Sequence, residues 1–224
     1  MNDARVLRPL SRALIAFSHA RHESRGKVTR PGSVRPLLSY IYARHRARGR
    51  PTPHPMKKLL LVRHAKSAWD NLDGSDHNRP LNSRGAHDAP AMGAHLLARG
   101  IRPDLILASS AVRTTSTAQA LADAMSVDAA RIQILPSLYL AHAADILAAV
   151  AACPDTVDTI MLVAHSPGIG DASGVLTGEP PRHMPTCAVA CLGSTAATWR
   201  EAAQPGGCTL QFWTSPRQLR HGMD

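Results

Sequence analysis

The chain has 224 residues, an apolar fraction of 44% and a formal charge of +10. No run approaches the roughly 20 apolar residues that cross a bilayer, and no compact apolar stretch before a small-residue cleavage site marks a secretory signal, so a cytoplasmic protein without a membrane partner is expected. The charge is uneven: residues 1–55 hold 12 Lys and Arg against Asp3 and Glu23, whereas 56–224 hold 14 basic and 14 acidic residues. Nucleic acid, the ordinary partner of so basic a chain, is therefore not expected for the neutral part.

Residues 1–55 show little sustained apolar periodicity and cluster Arg, His, Gly and Pro from Arg44 to Pro55. They are expected to form a disordered basic extension or to precede a true start at Met56. An Arg-rich targeting presequence and a basic arm that contacts phosphates are the alternatives. The domain proper is expected over 56–224.

From there on, short β-rich runs alternate with helical stretches, the pattern of a parallel sheet covered by helices. Strands are predicted at 58–63, 104–109, 131–135, 157–164, 186–192 and 209–213, and helices at 83–99, 112–125 and 143–152. The first helix takes Asn82 or Ser83 as its N-cap, sets Met92, Leu96 and Leu97 near one face and stops at Gly100. The last two strands have no obvious helix between them, and a loop with Gly193 and Gly206-Gly207 suggests an antiparallel hairpin at one edge. The predicted fold class is α/β: a three-layer α/β/α sandwich with a mostly parallel central sheet and an antiparallel edge. Cys153, Cys187, Cys191 and Cys208 lack CxxC spacing; Cys187 and Cys191 are read on one face of a strand, as buried reduced thiols.

Strand ends carry the chemistry. Arg63-His64 closes the run Leu59-Leu60-Leu61-Val62, Arg113 falls in the first turn of the helix after the second strand, and His165 ends the fourth strand. Ligands of open α/β sheets bind beyond the carboxyl ends of the strands, so two imidazoles and two guanidiniums from three strands face one crevice. A neutral imidazole nitrogen is a nucleophile, and guanidiniums neutralise phosphoryl oxygens without requiring a metal or other cofactor. The remaining histidines of this part, His77, His87, His95, His142, His183 and His221, lack ligand-pair spacing and are read as surface or cap residues.

The segments Leu61-Val62-Arg63-His64-Ala65-Lys66-Ser67, Asp76-His77-Asn78-Arg79-Pro80-Leu81-Asn82-Ser83-Arg84-Gly85, Pro103-Asp104-Leu105-Ile106-Leu107 with Arg113-Thr114, and Val163-Ala164-His165-Ser166-Pro167-Gly168 share a wider pattern. Together with Met184-Pro185-Thr186-Cys187-Ala188 they make the chain, over about residues 57–215, resemble the histidine phosphatase superfamily, phosphoglycerate mutase-like in fold. Within it the chain is most similar to the SixA-like phosphohistidine phosphatases. The resemblance implies that His64 takes up the phosphoryl group, Arg63 and Arg113 bind its oxygens, and His165 donates to the phosphate or organises the pocket. By the same resemblance Arg79 is a further phosphate-pocket arginine, and Ser67 is placed among the substrate-binding residues. Ala65 stands where the superfamily commonly has glycine, and Ser110 where it usually has proline.

Relatives acting on phosphate esters use a carboxylic acid to protonate the leaving alkoxide, yet Pro136-Ser137-Leu138-Tyr139 follows the third strand with no Glu. An imidazole, with a pKa near ~6.5, departs with little help. The expected function is thus a metal-independent phosphohistidine phosphatase in signal transduction, acting on a histidine-containing protein through a phospho-His64 intermediate. A small-molecule phosphomonoesterase of the same superfamily and a non-catalytic phosphate-binding module are the alternatives. Asp70, Asp73 and Asp145 remain as candidate acids, each read more readily as a solvated loop or cap residue.

Overall fold

The computed structural model describes residues 56–69 and 75–221. The basic extension expected at 1–55 lies outside them, as do the candidate acids Asp70 and Asp73.

Strands β1 (Lys57–Arg63), β2 (Leu105–Ser109), β3 (Ile132–Leu135), β4 (Thr159–Ala164), β5 (Val189–Ser194) and β6 (Thr209–Thr214) form one sheet in the order β3-β2-β4-β1-β5-β6. The first four are mutually parallel, and β5 and β6 complete an antiparallel edge. Helices α1 (Ser83–Ala98), α2 (Val112–Ala124), α3 (Ala143–Ala151), α4 (Gly168–Thr177), α5 (Trp199–Ala202) and α6 (Pro216–His221) accompany it. Strand β1 shows why three layers form. Its continuous apolar run sends Leu59 and Leu61 into a core with Ile146, Ile169 and Trp199, and Leu60 and Val62 into a second core with Met92, Leu121 and Met125. A strand buried on both faces has no use for alternating polarity. Each of these large side chains stabilises the fold by about 1.5–3 kcal/mol on burial. No helix among the described residues is long and apolar enough to cross a membrane.

Helix α1 begins as expected, with the Asn82 side chain accepting from the Gly85 amide at 2.9 Å, and ends before Gly100, whose φ of 71° suits glycine. Four readings need correction. Helix α4 was not anticipated, because Gly168, Gly170 and Gly174 are poor helix formers in isolation. They are required by packing: a Cβ at Gly168 would lie 1.9 Å from the Ala141 carbonyl oxygen, and one at Gly170 2.4 Å from that of Arg182. A short helix, α5, does lie between the last two strands, started by a Thr198/Glu201 capping box. Gly193 sits inside β5 rather than in the following loop. Finally, Cys187 precedes β5 with a φ of 60°, so it does not share a strand with Cys191, although both reach the same core. All four cysteines are free, and burial pushes the Cys187 thiol up to about 12.

The close approach at Gly168 separates two effects of opposite sign. Helix propensity alone favours Ala over Gly by about 1 kcal/mol, whereas forcing a methyl against the Ala141 carbonyl costs about 1–3 kcal/mol or more. Gly168→Ala is expected to lower stability in urea unfolding; an unchanged or raised midpoint would mean that the Ala141 loop yields.

Candidate active site

Because β2, β4 and β1 are consecutive in the sheet and parallel, their carboxyl ends lie side by side. His64 follows β1, His165 follows β4, and Arg113 stands in the first turn of α2 beyond β2. The two imidazole centroids are 5.3 Å apart. His64 Nδ1 lies 2.7 Å from the carbonyl oxygen of Ala65, which can only accept, so the ring proton sits on Nδ1 and Nε2 keeps its lone pair. The Ala65 amide in turn donates to Thr117 Oγ1 at 2.9 Å, and that hydroxyl donates to the Arg113 carbonyl at 2.6 Å. The loop that orients His64 is thereby fastened to the helix that carries Arg113.

His165 is oriented from both sides. Arg113 Nη2 donates to its Nδ1 at 3.3 Å, which places the ring proton on Nε2, 2.8 Å from Ser109 Oγ. Burial lowers the pKa of His64 to about 4; the Ala65 carbonyl opposes the fall and the charges of Arg113, Arg63 and Arg79 add to it. Burial, with His64 and Arg113 adding to it, takes His165 to about 3. Both rings are neutral at pH 7.

Around them stand the guanidiniums. Arg113, almost wholly buried, donates to the backbone carbonyl of Asp76 and, at 2.9 Å, to its carboxylate. Arg79 donates at 2.8 Å to the Ala68 carbonyl, to Asp76 Oδ1 and to Ser67 Oγ, and lies over the Trp69 ring. Arg63 donates from Nη1 to the Met184 carbonyl at 2.7 Å, while its buried Nε has no partner among the described residues. Burial would raise the Asp76 carboxyl, but hydrogen bonds from Arg79 and Tyr139 and the charge of Arg113 outweigh it and pull the pKa down to about 2. Asp76 is therefore an anion at neutral pH.

All six residues named from the sequence, Arg63, His64, Ser67, Arg79, Arg113 and His165, line one cavity of about 190 Å³. Lys66 and Asp76 line it too and were not assigned a role. Asp76 had one local signal: it stands three residues before Arg79 and pairs with it at 2.8 Å. Its bond to Arg113, 37 residues away, had none. Asp145 is not part of the site. It caps α3 by accepting from the His142 amide at 3.1 Å and lines a different cavity. His77 is more than a surface residue: its Nε2 is 2.9 Å from Ser110 Oγ and its ring meets Tyr139 edge-on. Ser110, in the place where proline is usual, thus anchors the segment that carries Asp76 and Arg79. Among the described residues no three His, Cys, Asp or Glu side chains gather as a metal cluster.

Residues 59–139 match the family model of the histidine phosphatase superfamily (branch 1). An uncharacterized chloroplastic protein of Arabidopsis thaliana is 33% identical over 172 residues, 71% of this chain and 78% of that one. An uncharacterized protein of Mycobacterium tuberculosis is 30% identical over 168 residues, 70% of this chain and 100% of its own length. Among solved structures, a provisionally named phosphohistidine phosphatase SixA from Nakamurella multipartitia is 29% identical with a TM-score of 0.64, covering 73% of this chain and 98% of that chain. The protein histidine phosphatase SixA complexed with tungstate, 23% identical with a TM-score of 0.63 over 72% of this chain and 99% of its own, shares the fold. The chain belongs to the histidine phosphatase superfamily, in its SixA-like branch, and its activity in the coarsest terms is that of a phosphatase.

Proposed function

We propose that the chain is a metal-independent phosphohistidine phosphatase that removes phosphate from a histidine-containing protein through an intermediate on His64 Nε2. The observation that carries this reading is the state of Asp76. It is the one carboxylate among the described residues lining the cavity, and it is held as an anion with a pKa of about 2. It has no proton to give a leaving group at neutral pH. An alkoxide leaving from a phosphate ester needs one, whereas the imidazole of phosphohistidine, with a pKa near ~6.5, does not.

The cavity supports the same substrate class. At about 190 Å³ it has room for a phosphoryl group, well short of the roughly 300–1,000 Å³ that encloses a drug-sized molecule. The rest of the substrate stays outside, as a protein would. In the first step the His64 Nε2 lone pair attacks phosphorus as the N–P bond of a substrate ring protonated on its other nitrogen breaks; the electron pair of that bond goes to the departing nitrogen, and the ring leaves as neutral imidazole with no further proton needed. In the second, water attacks phospho-His64 and releases inorganic phosphate and the free ring. Arg63, Arg79 and Arg113 hold the phosphoryl oxygens, with Lys66 adding a fourth cation and Arg63 Nε gaining the acceptor it lacks. Fixed charge of this kind supplies most of the catalysis in phosphoryl transfer. The likeness to provisionally named SixA structures at 29% identity supports the reading.

His64→Ala is expected to lower phosphate release from a phosphohistidine peptide by at least about a thousandfold. Residual activity within about tenfold of the parent would sink the nucleophile assignment. EDTA is expected to leave turnover unchanged, and inhibition reversed by a divalent ion would overturn the metal-free step.

The neutral rings give a pH prediction with a definite sign. His64 titrates near 4 in the folded chain against 6.5 ordinarily, and His165 near 3, so between these values the unfolded chain binds more protons. Their contribution to stability is complete above 6.5 and is lost as pH falls toward 4. Histidine ring titration by NMR should find both midpoints well below 6.5; a midpoint at or above that value for His64 would contradict a neutral nucleophile.

A further inference from the structure

A second, larger cavity of about 570 Å³ adjoins the first, and Thr186 lines both. Its walls include Trp213, Pro185 and Pro216, and its polar residues include Arg84 of α1 and Arg217 and Arg220 of α6. These three guanidiniums are exposed, whereas Asp88, the one carboxylate among the described residues lining the groove, is 3% exposed. Asp88 accepts from Arg220 at 3.1 Å and lies 3.8 Å from Arg84. Its single charge is thus spent within the groove floor, and the rim is left positive. The excess is local, because residues 56–224 are balanced overall with 14 basic and 14 acidic residues.

The groove and the phosphoryl cavity share their scaffold. Met184 accepts Arg63 Nη1 on its carbonyl and Trp213 Nε1 on its sulfur at 3.3 Å, so one residue holds a guanidinium of the small cavity and a wall of the large one. Arg84 reaches Thr186 Oγ1 at 3.4 Å across the boundary. A ligand whose phosphoryl group enters the small cavity therefore has an open, mostly apolar channel with cationic residues at its rim directly beside it. We propose that this groove receives the polypeptide flanking the phosphohistidine and selects acidic side chains there; the inference rests on the phosphohistidine reading for its substrate and on the groove's own charge for its preference.

The test uses three phosphohistidine peptides that differ only in Glu, Gln or Lys at the flanking positions. The full chain should favour the Glu peptide over the Lys peptide by about tenfold in kcat/KM, expressed in KM, since rim charges are each worth little but act together. Arg217→Glu should abolish or invert that order while leaving turnover of p-nitrophenyl phosphate, whose phenolate departs without a proton, unchanged. A second readout needs no turnover: fluorescence anisotropy of a labelled, unphosphorylated Glu peptide should report binding that weakens about tenfold in Arg217→Glu and in raised salt. Equal kcat/KM for the Glu and Lys peptides together with unaltered anisotropy would overturn the proposal, as would tighter binding of a single-stranded oligonucleotide than of the Glu peptide. If no phosphohistidine peptide is hydrolysed but Arg217-dependent peptide binding persists, the phosphohistidine reading fails and the acidic-peptide groove stands.

Discussion

The crowding of positive charge around two imidazoles is the constraint on which the candidate site depends. Arg63, Arg79 and Arg113 line a cavity of about 190 Å³ with His64 and His165, and a guanidinium cannot shed its proton. Such an arrangement is tolerated because nearly every guanidinium is met by an acceptor that costs little to orient: the carbonyls of Met184, Ala68 and Asp76, and the Asp76 carboxylate. The imidazoles resolve the remaining conflict by staying neutral. Their depressed pKa values follow from burial first and from cationic neighbours second, and the outcome is a free lone pair on His64 at physiological pH. Electrostatic crowding and nucleophilicity are thus one property of the site.

Asp76 offsets the positive charge of the pocket with an anion that a phosphoryl group could replace. Its carboxylate takes hydrogen bonds from Arg79, Arg113 and Tyr139, and about half of its surface remains open to water. On the proposed function, an entering phosphoryl group would compete with a partly solvated carboxylate for the same donors, so that binding would exchange one anion for another instead of desolvating three bare cations. The buried Arg63 Nε, which has no acceptor among the described residues, gains one outright. The pocket therefore holds both a replaceable counter-ion and an unsatisfied donor.

What was legible in the sequence was whatever strand position converts directly into place. His64, Arg113 and His165 each follow an apolar run, and in a parallel sheet the ends of such runs fall on one edge; that β2, β4 and β1 are neighbours, which sets the three side by side, is a matter of strand order that no run encodes. What was not legible depended on contacts between distant residues. Neither the Asp76–Arg113 bond nor the Thr117 hydroxyl that fastens the His64 loop has a local pattern. Helix α4 was hidden for a related reason: its glycines argue against a helix by propensity, and only the approach of the Ala141 and Arg182 carbonyls shows why they are needed. The partner of His64 Nδ1, the adjacent Ala65 carbonyl, depends on a loop conformation that no spacing encodes.

The small cavity, the ionised Asp76 and the cationic groove beside Thr186 constrain the substrate from different directions. Volume limits what can be enclosed to the phosphoryl group; proton inventory favours a leaving group that departs unaided; charge beside the cavity favours acidic neighbours. The second limit comes from the pairing of Asp76 with Arg79 and Arg113, and the third from arginines of α1 and α6. A small ester with an alkoxide leaving group would fail the second limit and leave the third without a purpose. A phosphorylated histidine on a protein surface, flanked by carboxylates, meets all three at once.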